Sequence, residues 1–150
     1  MKNNLASLMS KNIVTLPLGT LVSEAQSLMK DKRFRHVPIV NDEKIIVGIL
    51  SARDLKKNSF SQQTVESLMS TPIDFVEEKT SLRSAILKML EKKISCLLVA
   101  NENQDVVGII TTEDLMWHLA ELLKTNSTLS GLLNAQTVGE IANELALIGF

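Results

Sequence analysis

The sequence predicts an α+β fold in which one small β-α-β-β-α unit is used twice, followed by a helical extension at the C-terminus. Three observations carry this expectation. An internal repeat runs at a fixed offset of 60 residues, the strand and helix patterns recur in the same order in both copies, and the composition supplies aliphatic residues for a core.

The repeat is visible without gaps. Leu8-Met9-Ser10 returns as Leu68-Met69-Ser70, Val47-Gly48-Ile49 as Val107-Gly108-Ile109, and Asp54-Leu55 as Asp114-Leu115. Residues 8–55 and 68–115 share 14 identities in 48 positions. Most of the other pairs are like for like, among them Asp31 with Glu91, Arg33 with Lys93, Ile39 with Val99 and Ser51 with Thr111.

Each copy opens on a short extended piece, Ile13–Leu16 and Ile73–Val76. A helix follows, expected to start at Thr20 and Thr80. Its apolar residues fall at helical spacing: Val22, Ala25, Leu28 and Met29 in one copy, Leu82, Ala85, Ile86, Met89 and Leu90 in the other. Two strands come next, His36–Val40 and Ile45–Leu50, then Ser95–Ala100 and Val106–Ile110, each pair joined by a polar turn. A second helix is expected to begin at Ser51 and at Thr111. A unit of about 50 residues buries too little apolar surface to be stable alone, so the two copies are expected to pack as a pseudo-twofold pair. The expected divisions are repeat 1 over 5–60, repeat 2 over 61–120 and the extension over 121–150.

Hydrophobic residues make up 45% of the chain and aromatic residues only 3%, so the core must be aliphatic and no base-stacking platform is available. A net charge of −1 argues against a nucleic-acid partner. No apolar run is long enough to span a bilayer, and Cys96 has no second cysteine to pair with. These features lead to the expectation of a cytoplasmic protein without a membrane or metal role. The charge is uneven: residues 1–60 hold ten Lys/Arg against five Asp/Glu, and residues 61–120 hold five against nine.

The repeated Leu-Met-Ser, the Thr-x-x-x-x-Ala-x-x-x-Met helix, the Arg35–Val40 strand and the doubled Val-Gly-Ile-x-[Ser/Thr]-x-x-Asp-Leu closure together resemble the tandem cystathionine-β-synthase (CBS) domain module. The resemblance covers about residues 5–120. It implies a regulatory module, not an enzyme, that needs no catalytic cofactor, binds AMP, ADP, ATP or a related adenosyl ligand in clefts between the repeats, and commonly pairs into homodimers. One cleft would draw on Val14, Thr15, Arg35, His36 and Pro38 together with Thr111, Thr112 and Asp114. A second, weaker cleft would draw on Ser51, Arg53 and Asp54 together with Asp74, Phe75, Ser95, Cys96 and Leu98.

The chemistry of these residues admits two readings. Ser51-x-x-Asp54 and Thr111-x-x-Asp114 have the form of a helix capping box. A helix start with a hydroxyl also favours phosphate, whereas the acidic residue suits the two hydroxyls of a ribose. Gly48 and Gly108 suit either a bulge or packing need, or the close approach of a strand or an adenine ring. Arg35 can fork onto phosphate oxygens and His36 adds a donor whose charge responds to pH, unless they are an ordinary surface arginine and a half-buried histidine. Their counterparts Ser95 and Cys96 cannot neutralise phosphate, and Leu98 replaces Pro38, so the cleft containing Asp114, Arg35 and His36 is the favoured one. Cys96 sits in an apolar run and reads as a small hydrophobe.

Beyond the repeats, 115–124 continues as an apolar helix. A last segment over 137–149 places Val138, Ile141, Ala142, Leu145 and Ile148 on one face, which asks for a core, a second subunit or a client protein. The alternative to ligand sensing is therefore a ligand-free dimerisation or protein-interaction module.

Overall fold

The computed structural model describes residues 4–56, 62–125 and 143. The amphipathic segment expected over 137–149 lies outside the described residues apart from Asn143. In chain order the elements are α1 (Leu5–Leu8), β1 (Leu16–Pro17), α2 (Val22–Lys32), β2 (His36–Val40), β3 (Ile46–Ser51), β4 (Phe75–Glu77), α3 (Leu82–Lys92), β5 (Cys96–Ala100), β6 (Val106–Thr111) and α4 (Thr112–Thr125). Single 3-10 turns occupy Asp54–Lys56 and Val65–Ser67.

The strands form two three-stranded sheets of the same design, β1-β2-β3 and β4-β5-β6. In each, the outer short strand pairs parallel with the middle strand, and the middle strand pairs antiparallel with the third. The registers repeat at the offset read from the sequence: Leu16 faces Ile39 and His36 faces Ser51, while Val76 faces Val99 and Cys96 faces Thr111. Both antiparallel ladders shift register at the same place, between Ile39 and Val40 and between Val99 and Ala100. That shift leaves Val47 and Val107 without a facing residue, the signature of a bulge.

The extended pieces begin later than expected, at Leu16 and Phe75, because the parallel ladder forms only where the chain comes alongside the middle strand. The helix starts also move by a residue. The Thr20 hydroxyl donates to the Pro17 carbonyl at 2.7 Å and closes the preceding turn, so Leu21, not Thr20, stands at the cap of α2. In the second copy Ser81 is the cap, its hydroxyl accepting the Ser84 N–H at 3.0 Å. Both helices end on a lysine-or-arginine residue in the left-handed conformation, Arg33 at φ 58° and Lys93 at φ 54°. After Ser51 the described chain forms only a 3-10 turn, whereas after Thr111 it runs on as the 14-residue α4.

The compact units do not follow the repeats from end to end. One unit is Asn12–Asp74; the other is Met1–Lys11 together with Phe75–Phe150. The reason lies in the Leu-Met-Ser arms. Ser10 exchanges backbone hydrogen bonds with Ile109, at 2.9 and 3.0 Å, and Ser70 does the same with Ile49, at 2.8 and 3.2 Å. Each arm thus serves as an added edge on the third strand of the unit it joins. The arm of the first copy completes the sheet of the second copy's strands, and the arm of the second copy completes the first.

Side chains follow the arms into the cores. Leu5 and Met9 are buried with Val76, Ala85, Met89, Leu97, Val99 and Ile110. Val65 is buried with Val22, Ala25, Met29, Val37, Ile39, Leu50 and Leu55. Fully burying one such aliphatic side chain is worth about 1.5–3 kcal/mol, so an arm that contributes one or two of them is a substantial part of a unit this small.

Candidate functional site

The residues singled out from the sequence fall into two corners, one in each unit, built at the junction of the middle strand's start with the third strand's end. In the Asn12–Asp74 unit the corner holds Arg35, His36, Ser51, Arg53 and Asp54. The Ala52 N–H donates to the Arg35 carbonyl at 2.8 Å, and His36 stands opposite Ser51 in the ladder. Pro38 lies two residues on from His36, on the same face of β2, and is fully buried. Val14 and Thr15 are half-buried in the segment before β1.

The capping box is formed in both corners. Asp54 Oδ2 accepts from the Ser51 N–H at 3.1 Å and from the Ser51 hydroxyl, while the Asp54 N–H donates back to Ser51 Oγ at 3.3 Å. Asp114 Oδ2 accepts from the Thr111 N–H at 2.8 Å and the Thr111 hydroxyl at 2.7 Å, and its own N–H donates to Thr111 Oγ1 at 3.2 Å. One carboxylate oxygen of each aspartate is therefore the structural one.

The second corner, in the unit that contains Phe75–Phe150, brings together Ser95, Cys96, Thr111, Thr112 and Asp114. The Thr112 N–H donates to the Ser95 carbonyl at 3.0 Å and Cys96 faces Thr111. Cys96 and Thr112 are buried, and Leu98 is fully so, with Phe75 opposite Leu98 in the parallel ladder and 42% exposed. Asp74 is half-buried at the end of the other unit. Burial of Cys96 in an apolar strand agrees with its reading as a small hydrophobe.

The two corners differ in charge. Arg35 and Arg53 in the first correspond to Ser95 and Glu113 in the second. His36 is half-buried, and its pKa is lowered to about 4, first by burial and then by the Arg35 charge, with Asp54 raising it and Arg53 lowering it further. At neutral pH the imidazole is uncharged.

The glycines resolve in favour of packing. A side chain on Gly48 would collide with Met69, whose Cγ lies 2.8 Å and Cβ 3.2 Å from the Cβ position; Gly108 meets Met9 at the same two distances. The space above each glycine is filled by the methionine of the docked arm, next to the bulge, and is not left for a base. Sequence reasoning missed this arm-and-notch contact. The repeated Gly and the repeated Met were its signal, but two copies that both carry them do not say which methionine fills which notch.

Also missed was Glu66. Its carboxylate accepts the Gly19 N–H at 2.5 Å, where the chain turns through φ 82°, and so fastens the 64–70 arm to the segment before α2. Its pKa is lowered by hydrogen bonding to its own backbone amide, with the Thr64 side chain and the Gly19 amide acting in the same sense.

Away from the corners, a hollow of about 300 Å³ is lined by Glu77, Glu78, Lys79, Ala100, Asn101, Glu102 and Asn103, at the opposite end of β5 from Cys96. Its carboxylates make it unsuited to phosphate. Among the described residues no cluster of His, Cys, Asp and Glu could hold a metal ion, and no helix is long and apolar enough to cross a membrane.

Comparison with known proteins decides the family. The CBS domain model matches twice, over residues 5–61 and 65–121. The chain belongs to the CBS domain family. A homoserine O-acetyltransferase of Methanosphaera stadtmanae is 37% identical over 112 residues, covering 74% of this chain and 23% of that protein. The chain spans about a quarter of the length of the curated relatives it matches. Among solved structures, a CBS domain pair in complex with 5′-methylthioadenosine and S-adenosyl-L-methionine superposes with a TM-score of 0.72 at 25% identity, over 79% of this chain and 96% of that one. A conserved CBS domain protein of Thermoplasma acidophilum gives a TM-score of 0.73 over 95% of this chain and 76% of that one; at 20% identity it speaks for the fold alone.

Proposed function

We propose that this CBS pair is a cytoplasmic regulatory module, without catalytic activity of its own, that binds an adenosine nucleotide or adenosyl ligand and passes its occupancy to a partner, as a homodimer. The observation that carries the reading is the doubled corner, in which a Ser/Thr-x-x-Asp cap is hydrogen-bonded to the start of the neighbouring strand. A CBS pair crystallised with two adenosyl compounds supports it.

The roles follow from charge. Asp114 uses Oδ2 to cap α4, and in this proposal Oδ1 accepts from the ribose hydroxyls. Glu113 and Asp114 in the first turn of α4 oppose a phosphate there, so the phosphate belongs with Arg35 and His36. The favoured ligand set is therefore Val14, Thr15, Arg35, His36 and Pro38 with Thr111, Thr112 and Asp114; its joining across the two units rests on the family resemblance. The second set, Ser51, Arg53 and Asp54 with Asp74, Phe75, Ser95, Cys96 and Leu98, has Arg53 as its cation and is the weaker. Occupancy acts on a partner only through a difference in ligand affinity between the partner-bound and free states.

Isothermal titration with AMP, ATP and S-adenosylmethionine tests the reading. Asp114→Ala is expected to weaken AMP binding about tenfold or more, the loss of hydrogen bonds to a charged group. Asp54→Ala is expected to weaken it less. Equal losses or the reverse order would discard the ranking of the two sets. A second reading, a ligand-free interaction module, draws on the fact that both aspartates already serve as caps. Absence of binding at millimolar ligand would leave that reading standing.

A further inference from the structure

The Asn12–Asp74 corner gathers three groups able to carry positive charge, Arg35, His36 and Arg53, around one carboxylate, Asp54. That carboxylate is not a free counterion: its Oδ2 is held by the Ser51 N–H and hydroxyl. The corner is also fixed in place, since the Ala52 N–H is bonded to the Arg35 carbonyl at 2.8 Å and His36 is registered against Ser51. We infer that an anionic ligand binding against this corner is taken up together with a proton, which His36 carries. The inference rests on the proposed reading that the ligand's phosphate lies beside Arg35 and His36.

The argument is electrostatic. Without ligand the imidazole is neutral at physiological pH, because burial and the charges of Arg35 and Arg53 outweigh the attraction of Asp54. A phosphate placed against Arg35 offsets those cationic charges and adds an acceptor for an imidazolium N–H. Both effects favour the protonated form, so the pKa of His36 rises on binding and the proton comes from solvent. By linkage, affinity then grows as the pH falls through the range between the pKa of the bound and the free states. Each unit by which binding raises the pKa can add up to tenfold in affinity at the acid end of that range. The other corner lacks the device: Ser95, Cys96 and Glu113 stand where Arg35, His36 and Arg53 do.

The chain has only two histidines, so the imidazole signals of His36 and His118 can be followed by NMR and assigned with His118→Gln. In the free protein His36 is expected to titrate below about pH 5, and saturating AMP to raise its pKa by about one unit or more. Calorimetry in buffers of low and high ionisation enthalpy should show proton uptake near about pH 4.5 for AMP, little for adenosine, and less for AMP with His36→Gln. The affinity of the wild type relative to His36→Gln should grow several-fold from about pH 6 to pH 4; the titration of AMP itself is common to both proteins and cancels. A His36 pKa unmoved by bound AMP would overturn the inference, and the NMR arm needs no His36 variant. Equal uptake with adenosine would overturn it too. If AMP at millimolar concentration does not bind at any pH, the ligand reading itself fails and the proton coupling falls with it.

Discussion

The two units share a ladder and differ at a corner. Registers, bulges, left-handed helix ends and arm bridges all repeat at one offset. The departures lie elsewhere: Arg35, His36, Pro38 and Arg53 against Ser95, Cys96, Leu98 and Glu113, and Glu66 with its hold on Gly19 against Ala6 and Lys79. What stays the same is what a small sheet needs to close. Among what has changed are charge at the strand start, one polar fastening of an arm and the element that follows the third strand, which is where two copies can take on different tasks without costing the sheet.

The sharpest way to break that comparison is at the notches, where the units look alike. Gly108→Ala and Gly48→Ala each place a methyl against an arm methionine, and overpacking of this kind costs about 1–3 kcal/mol. Met9 is 7% exposed and has little room to swing aside, whereas Met69 is half-buried. Gly108→Ala is therefore expected to lower the urea midpoint more than Gly48→Ala. Truncating the matching residue, Met9→Ala or Met69→Ala, should recover part of each loss. An unchanged midpoint for Gly108→Ala would mean that the arm does not sit in the notch.

This same contact shows how far the sequence could be read. The order of elements, the strands at His36–Val40 and 106–110, and the aliphatic cores were legible because they depend on periodicity, which is local. The arms were not. Pairing Ser10 with Ile109 or Ser70 with Ile49 is a long-range choice, and two copies with the same Gly and the same Met offer equivalent partners within either repeat. At the corners the capping boxes were legible as spacing. That His36 would be neutral depends on burial and on Arg35 and Arg53 converging with it, which spacing alone does not express.

The next effect separates the units by pH. His36 has a folded pKa near 4 against 6.5 for the unperturbed group, and Cys96 stands in its place in the other copy. Because the folded value is the lower one, the unfolded chain binds a proton first. The associated stability is complete above about pH 6.5 and is lost as the pH falls toward 4, at up to about 1.4 kcal/mol per pH unit. Urea midpoints measured at pH 7, 6 and 5 should decline in the wild type, and His36→Gln should remove that part of the slope. A slope identical in both proteins would place the acid sensitivity elsewhere.

The smallest expected effect tests the fastening itself. Glu66 is half-buried on its arm, and its hold on the Gly19 N–H is one charge-assisted bond. Glu66→Gln keeps an acceptor but not the charge, and should cost a few tenths of a kcal/mol; Glu66→Ala should cost about 1 kcal/mol. Hydrogen exchange is the better reporter than global stability, because a local opening of the 64–70 arm exposes the Ser70 and Ile49 amides before the sheet unfolds. Faster exchange at those two amides, with Ser10 and Ile109 unchanged, is the result expected if each arm is secured by its own unit. Equal acceleration in both pairs would show instead that the arms open as one cooperative element.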